Sequence, residues 1–126
     1  MPASDGLHFS GFSDSQRYAV EETIRTAELL CRAEFSVYVG PVEGSDARAF
    51  ATSLHNTLVA PARSIMIVVD PRAGILEIVT GGWVRRTLSD TEVAIAAEAM
   101  RTSFAAGDLV GGLRAGITQL AHHTAG

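Results

Sequence analysis

Hydrophobic side chains recur with helical spacing in the first third of the chain and then with the spacing of a strand. The helical repeat consists of Val20, Ile24, Ala27 and Cys31. We expect a helix over residues 14–32, because Ser13 and Gln16 also form a capping box at its start. Residues 35–39 then alternate apolar and polar side chains, which indicates a strand with one covered face.

The middle of the chain predicts a strand–helix–strand unit. An apolar stripe over residues 47–58 indicates a second helix, with Ser45 as its N-cap and Asp46 in its first turn. Residues 65–69 are apolar on both faces, as expected for a central strand that helices cover on both sides. A crossover through a helix makes the two flanking strands parallel.

A turn and a third strand predict that the sheet is mixed. Residues 70–74 contain proline and glycine where a tight turn requires them, and residues 75–80 then return antiparallel to the central strand. Gly81 and Gly82 permit a further sharp reversal, so a short fourth strand is predicted over residues 83–86.

A pair of helices completes the predicted domain. Ser89 and Glu92 form a capping box for the third helix, and Gly107 suits the left-handed residue at its end. Asp108 then caps the fourth helix. Three glycines lie inside that helix: Gly111, Gly112 and Gly116. Each costs about 1 kcal/mol relative to alanine, so we expect them to permit close packing against a neighbouring element.

These elements predict an α/β fold, a three-layer α/β/α sandwich with a mixed, twisted sheet of three or four strands and about four helices. We assign residues 13–122 to a single domain, residues 1–12 to a flexible N-terminal arm and residues 123–126 to a frayed C-terminus. A chain of 126 residues buries roughly two-thirds of the surface of its unfolded form.

Composition and charge narrow the function classes. The net charge of −4 argues against nucleic acid or an anionic membrane as the main partner. No apolar run approaches the roughly 20 residues of a membrane-spanning helix, and the first residues carry no secretory signal, which predicts a cytoplasmic location. The single cysteine, Cys31, excludes an intramolecular disulfide and a cysteine-based zinc site.

The C-terminal half of the chain resembles the TPM domain family in three motifs. A strand ends in Thr80-Gly81, a helix begins with Leu-x-Asp at residues 88–90, and a Phe-x-x-Gly-Asp corner at residues 104–108 leads into a glycine-rich helix. The first half, with Phe-Ser-Val-Tyr-Val-Gly at residues 35–40, more closely resembles a family of small uncharacterised actinobacterial proteins related to TPM domains.

This resemblance implies a three-layer fold and two alternative kinds of function. Some TPM members are credited with acid phosphatase activity and divalent-metal binding, whereas others act as accessory or assembly factors. The chain departs from the family pattern at residues 61–64, where a glycine-marked loop is usual, and at Leu109, where an aromatic residue is common. Typical members are also exported and tethered, and the sequence shows neither signal.

Acidic residues at the carboxyl edge of the sheet are candidates for a divalent-metal site. The third helix has roughly 16 residues and a length of about 24 Å, so Asp90 and Asp108 should lie at opposite edges. Asp108 is then expected beside Asp70 and Asp46, at the edge where open α/β sheets bind ligands. Calcium or magnesium would suit such carboxylates. The alternative is structural, with Asp46 and Asp108 as caps and Asp70 in a turn.

A second candidate surface is the corner formed by Trp83, Arg85 and Arg86, which suits a protein partner or an anion. A solvated face around one packed tryptophan is the alternative.

The sequence contains no P-loop, nucleophile elbow or spaced metal-ligand motif. The leading hypothesis is therefore a non-catalytic accessory or interaction module. A divalent-metal-dependent phosphatase and a small ion-binding protein are the alternatives.

Overall fold

The order of the strands in the sheet follows their order in the chain. The computed structural model describes residues 7–126. Its strands are β1 (Leu7–Phe9), β2 (Glu34–Val39), β3 (Ser64–Asp70) and β4 (Ile75–Thr80). Strands β1, β2 and β3 run parallel to their neighbours, and β4 is antiparallel to β3. The predicted mixed sheet is confirmed.

Helices cover both faces of this sheet. They are α1 (Asp14–Cys31), α2 (Ala47–Asn56), α3 (Asp90–Ala105) and α4 (Leu109–Ala125). Short 3₁₀ turns occupy Pro61–Arg63 and Val84–Arg86. Within residues 7–126, none of the helices combines the length and the hydropathy of a membrane span. The count of four helices and four strands agrees with the predicted α/β class.

Strand β3 is the centre of the fold, as its two-sided apolarity predicted. All of its residues are buried, and Ile67 pairs with Val37 of β2 on one side and with Ile78 of β4 on the other. Its alternate side chains point into two cores. Ile67 belongs to the larger core with α1, α3 and α4, whereas Met66 and Val68 pack with α2 in the smaller one. This division makes three layers.

The two capping boxes form as the sequence predicted. The Ser13 side chain accepts from the Gln16 N–H and the Gln16 side chain accepts from the Ser13 N–H, and Ser89 and Glu92 make the same pair of bonds. The cap of α2 differs from the prediction, because Asp46 and not Ser45 is the N-cap. A carboxylate satisfies a free N–H there and also interacts favourably with the helix dipole.

The predicted fourth strand over residues 83–86 is wrong, because that segment is a 3₁₀ turn. Local bonds hold the turn: the Arg86 N–H donates to the Trp83 carbonyl at 3.2 Å and the Leu88 N–H to the Val84 carbonyl at 3.0 Å. These bonds satisfy backbone groups that a strand would have paired with the sheet.

The actual fourth strand is β1, in the segment that the sequence assigned to a flexible arm. Leu7 pairs with Val37 and Phe9 with Val39, and the Phe9 and Phe12 rings stack with centroids 5.1 Å apart. Residues 1–6 of the predicted arm lie outside the described residues. At the other end, α4 continues to Ala125 through the segment expected to fray, and its last turn is packed.

Buried glycines let α4 approach α3 closely. An added Cβ at Gly112 would lie 2.7 Å from Cε1 of Phe104, and one at Gly116 would lie 2.5 Å from Cγ of Met100. Both glycines are buried, so the expectation of close packing agrees with the structure at these two positions. Their cost in helix propensity is offset by the contact that they permit. At Gly111 the nearest atoms to an added Cβ belong to Asp108, the N-cap of the same helix, so the expectation does not hold there.

We expect Gly112→Val and Gly116→Val each to lower the free energy of unfolding by about 1–3 kcal/mol, because the new side chains overpack the α3–α4 contact. Ala115→Val adds bulk at an exposed position of the same helix and should cost about 0.5 kcal/mol through helix propensity alone. The free energy of unfolding of all three variants is measured by chemical denaturation. Equal losses at the three positions, or a gain in stability for alanine at both glycines, would contradict the packing account.

Candidate functional site

Two of the three candidate metal ligands cap helices. Asp46 accepts from the Ala49 N–H at 3.0 Å at the start of α2, and Asp108 accepts from the Gly111 N–H at 2.9 Å at the start of α4. Both residues are exposed. Each carboxylate therefore has a structural role that accounts for an acid at its position.

Asp70, the third candidate, ties the end of β3 to two loops. One carboxylate oxygen accepts from the Val42 N–H at 3.0 Å, and the other accepts from the Ala73 N–H at 3.2 Å. The bond from Val42, followed by those from Ala73 and Arg72, lowers the pKa of Asp70 below its ordinary value. Its side chain is buried, so these bonds replace water that the carboxylate has lost.

The structure brings Asp70 and Asp108 to the same edge of the sheet without gathering a ligand set. Each lines a depression that also includes Gly107 and Leu109, and Asp46 lines neither of them. Among residues 7–126, no three side chains of His, Cys, Asp or Glu are grouped so that they could hold a metal ion.

A groove of about 480 Å³ lies between the β3–β4 turn and the corner that joins α3 to α4. Its walls are mostly apolar and include Ile75, Leu76 and Phe104, and Asp70 lies at one side. Arg101 also lines it and donates to the Leu76 carbonyl at 3.4 Å. The sequence did not single out Arg101, which the helical pattern places on the exposed side of α3.

The amino edge of the sheet carries an arginine stacked on the single tryptophan. The Arg63 guanidinium lies 4.2 Å from the centroid of the Trp83 ring, which is a cation–π contact. The same guanidinium donates to the Arg32 carbonyl at 2.8 Å. Arg63 therefore connects the end of α1 with the turn that follows β4.

Gly81 allows this corner to form. A Cβ there would overlap the Pro61 carbonyl oxygen and would lie 2.5 Å from the carbonyl carbon of Ala62. Backbone bonds hold the two segments together: the Gly81 N–H donates to the Ser64 carbonyl at 3.0 Å and the Trp83 N–H to the Ala62 carbonyl at 2.9 Å. Only glycine fits between these carbonyl groups.

A pocket of about 410 Å³ opens beside the stacked tryptophan. Leu30 and Arg32 contribute from the end of α1, Trp83 and Arg86 from the turn, and Thr124 from α4. The predicted surface of Trp83, Arg85 and Arg86 thus supplies two residues of this pocket. Arg85 is not among the lining residues, and its guanidinium donates to the Thr80 carbonyl.

Sequence reasoning missed Arg32 and Arg63. Both come from segments distant in the chain from Trp83, and only the tertiary fold brings them to it. One signal was available, because all ten basic residues of the chain are arginines. Such a composition favours planar, forked contacts with carboxylates and aromatic rings over the point contacts of lysine.

The amino-edge arginines are not paired with carboxylates, and the same is true of Arg72 and Arg114 elsewhere in residues 7–126. Arginines with an Asp or Glu partner are Arg17, Arg25, Arg48 and Arg101. In the part of the chain that the structure describes, Arg32, Arg63, Arg85 and Arg86 form no such ion pair. Four exposed guanidinium groups are therefore available at one edge of an acidic protein to pair with anionic groups.

The fold and the sequence together define the family. The domain of unknown function DUF5130 matches residues 3–121, and the chain belongs to this family. An uncharacterised protein of Mycobacterium tuberculosis is 24% identical over 119 residues, which cover 94% of this chain and 70% of that protein.

Solved structures share the fold at low sequence identity. The BA42 protein of Bizionia argentinensis superimposes with a TM-score of 0.83 at 19% identity, over 92% of this chain and 83% of that one. The N-terminal domain of the cg2496 protein of Corynebacterium glutamicum superimposes with a TM-score of 0.77 at 14% identity, over 97% and 80% respectively. These similarities concern the fold alone.

We expect Asp70 to make the stability of the domain depend on acid pH. Its folded pKa lies below the value of about 3.9 in an unfolded chain, so its stabilisation is present above that pH and is lost as the pH falls through the folded pKa. Asp70→Asn should lower the melting temperature at pH 7, because an amide offers one acceptor for two N–H donors.

The difference in melting temperature between wild type and Asp70→Asn should therefore narrow from about pH 4 downwards. Asp90→Asn removes an exposed carboxylate in the first turn of α3 and serves as the matched control. The melting temperatures of the three proteins are measured by circular dichroism between about pH 2 and about pH 7. A difference that stays constant over this range would contradict the role of the charged carboxylate.

Proposed function

We propose that this DUF5130 domain is a non-catalytic accessory or interaction module that binds a partner through its amino edge. The observation that carries the proposal is the Arg63–Trp83 stack, which stands beside a pocket lined by Arg32 and Arg86. Tryptophan and arginine are, with tyrosine, the side chains most enriched at the energetic centres of protein interfaces. At this edge they are exposed or half-buried and belong to a backbone corner that hydrogen bonds hold in place.

The relation to TPM domains is part of this proposal. The residues that carry the resemblance have structural roles: Gly81 fits between two carbonyl groups, Asp108 caps α4 and Phe104 packs against Gly112. A shared fold explains such a motif without a shared reaction. An accessory role of the kind found in some TPM members therefore fits the chain.

A cytoplasmic location also belongs to the proposal. Cys31 is a free, buried thiol whose pKa is raised above its ordinary value, chiefly by burial. A protonated, buried thiol is chemically inert and behaves as a small apolar side chain. The residue fits a reducing compartment.

A divalent-metal-dependent phosphatase or a small ion-binding protein is the second candidate. The observation in its favour is that Asp70 and Asp108 line adjoining depressions at the carboxyl edge, the edge at which open α/β sheets bind ligands. Calcium or magnesium is the cation that these carboxylates, with Asp46, would take in this alternative. The two candidates make different predictions for Asp108.

We expect Asp108→Asn to keep nearly the full stability of wild type, because asparagine caps a helix about as well as aspartate. Asp108→Ala should lower the free energy of unfolding by roughly 0.5–2 kcal/mol. Neither millimolar calcium nor magnesium should change the melting temperature of wild type, and the protein with either ion should not hydrolyse p-nitrophenyl phosphate at acid pH.

A metal site gives the opposite pattern. Asparagine keeps the cap but removes a charge that the cation needs, so a divalent ion would stabilise wild type far more than Asp108→Asn. A rise of several degrees in the melting temperature of wild type, absent in the variant, would overturn the leading proposal. Hydrolysis that depends on both the ion and Asp108 would favour the phosphatase.

A further inference from the structure

The amino-edge pocket has walls from three elements that are distant in sequence. The end of α1 supplies Leu30 and the C-cap residue Arg32, the turn after β4 supplies Trp83 and Arg86, and α4 supplies Thr124. The Thr124 carbonyl accepts from the Thr87 hydroxyl at 2.8 Å, which fixes the end of α4 against the turn. The pocket is therefore a feature of the folded domain and not of one loop.

Within the described residues, two of the four amino-edge arginines have guanidinium groups without a partner. Arg63 and Arg85 use their guanidinium groups on the backbone carbonyls of Arg32 and Thr80. By contrast, the guanidinium groups of Arg32 and Arg86 make no hydrogen bond or ion pair with any residue between positions 7 and 126, and both residues line the pocket. A guanidinium presents a planar fork of N–H donors that matches a carboxylate.

Apolar side chains lie beside these charges. Leu30 is 46% exposed and lines the pocket, as does Trp83. The carboxylate of Glu28, on the same helix as Leu30, accepts a hydrogen bond from the Phe35 N–H at 2.9 Å. A ligand that covers Leu30 and Trp83 as well as the arginines carries apolar groups in addition to negative charge, which a free phosphate does not offer.

We propose that this pocket binds an acidic peptide segment of a protein partner, with a carboxylate paired to Arg32 and Arg86 and a neighbouring apolar side chain packed on Leu30. This ligand class rests on the proposed function as an interaction module. A protein segment is favoured over nucleic acid as the source of the negative charge, because its few charges can stay at the arginines of the pocket, whereas a long polyphosphate backbone would extend over the surface of a chain whose net charge is −4.

Trp83 provides a direct readout, because it is the single tryptophan of the chain and lines the pocket. Its fluorescence is titrated with an acetylated, amidated peptide that alternates glutamate and leucine. The matched control peptide replaces each glutamate with glutamine, and inorganic phosphate serves as a simple anion. Isothermal titration calorimetry repeats each measurement, so that binding without a change in fluorescence is still detected.

The acidic peptide should bind saturably, and its dissociation constant should rise severalfold between low and high salt, since salt screens exposed charges. The double variant Arg32→Gln/Arg86→Gln should bind roughly tenfold or more weakly. Arg72→Gln removes one exposed arginine from the β3–β4 turn at the other edge of the sheet and should bind as wild type does. Melting temperatures of all variants establish that they are folded.

Three results would overturn the proposal: no binding of the acidic peptide by either method, equal binding of the glutamine peptide, or unchanged affinity in the double variant. If phosphate binds as tightly as the peptide, the ligand of this pocket is a simple anion and not a peptide. None of these results bears on the response of the melting temperature to calcium or magnesium, so failure of this ligand class is distinguishable from failure of the non-catalytic function.

Discussion

The close passage of Gly81 between two backbone carbonyl groups is the constraint on which the arrangement of the amino edge depends. At this point β4 leaves the sheet against the Pro61–Arg63 turn, and the absence of a Cβ lets the two segments exchange hydrogen bonds. The passage places Trp83 under Arg63 and directs the chain toward α3. A larger residue would force the segments apart and would remove the pocket wall that Trp83 supplies.

The two edges of the sheet use their polar residues in different ways. At the carboxyl edge, Asp70 and Asp108 satisfy backbone N–H groups, so their charges serve the turn and the cap. At the amino edge, Arg63 serves the fold in a similar manner, whereas Arg32 and Arg86 line a pocket. Within residues 7–126, the guanidinium groups of Arg32 and Arg86 have no hydrogen-bond or ion-pair partner and line one pocket together, and this placement is the physical basis of the proposed interaction function.

Local patterns predicted the parts of this fold that local chemistry determines. The two-sided apolarity of β3 and the capping box at Ser13 are properties of neighbouring residues, and both are confirmed. Strand β1 escaped prediction because its three residues become a strand only by pairing with β2. For the same reason the candidate site was predicted only around Trp83, since Arg32 and Arg63 reach it through the tertiary fold.

Amide hydrogen exchange tests most directly whether the amino-edge corner is a fixed part of the folded domain. The N–H groups of Gly81 and Trp83 are bonded across the corner, whereas Gly44 lies in an exposed bend before α2. A fixed corner predicts that the Gly81 and Trp83 amides exchange roughly a hundredfold or more slowly than that of Gly44. Exchange at both positions as fast as at Gly44 would show that the corner opens freely, and it would contradict a preformed binding surface at this edge.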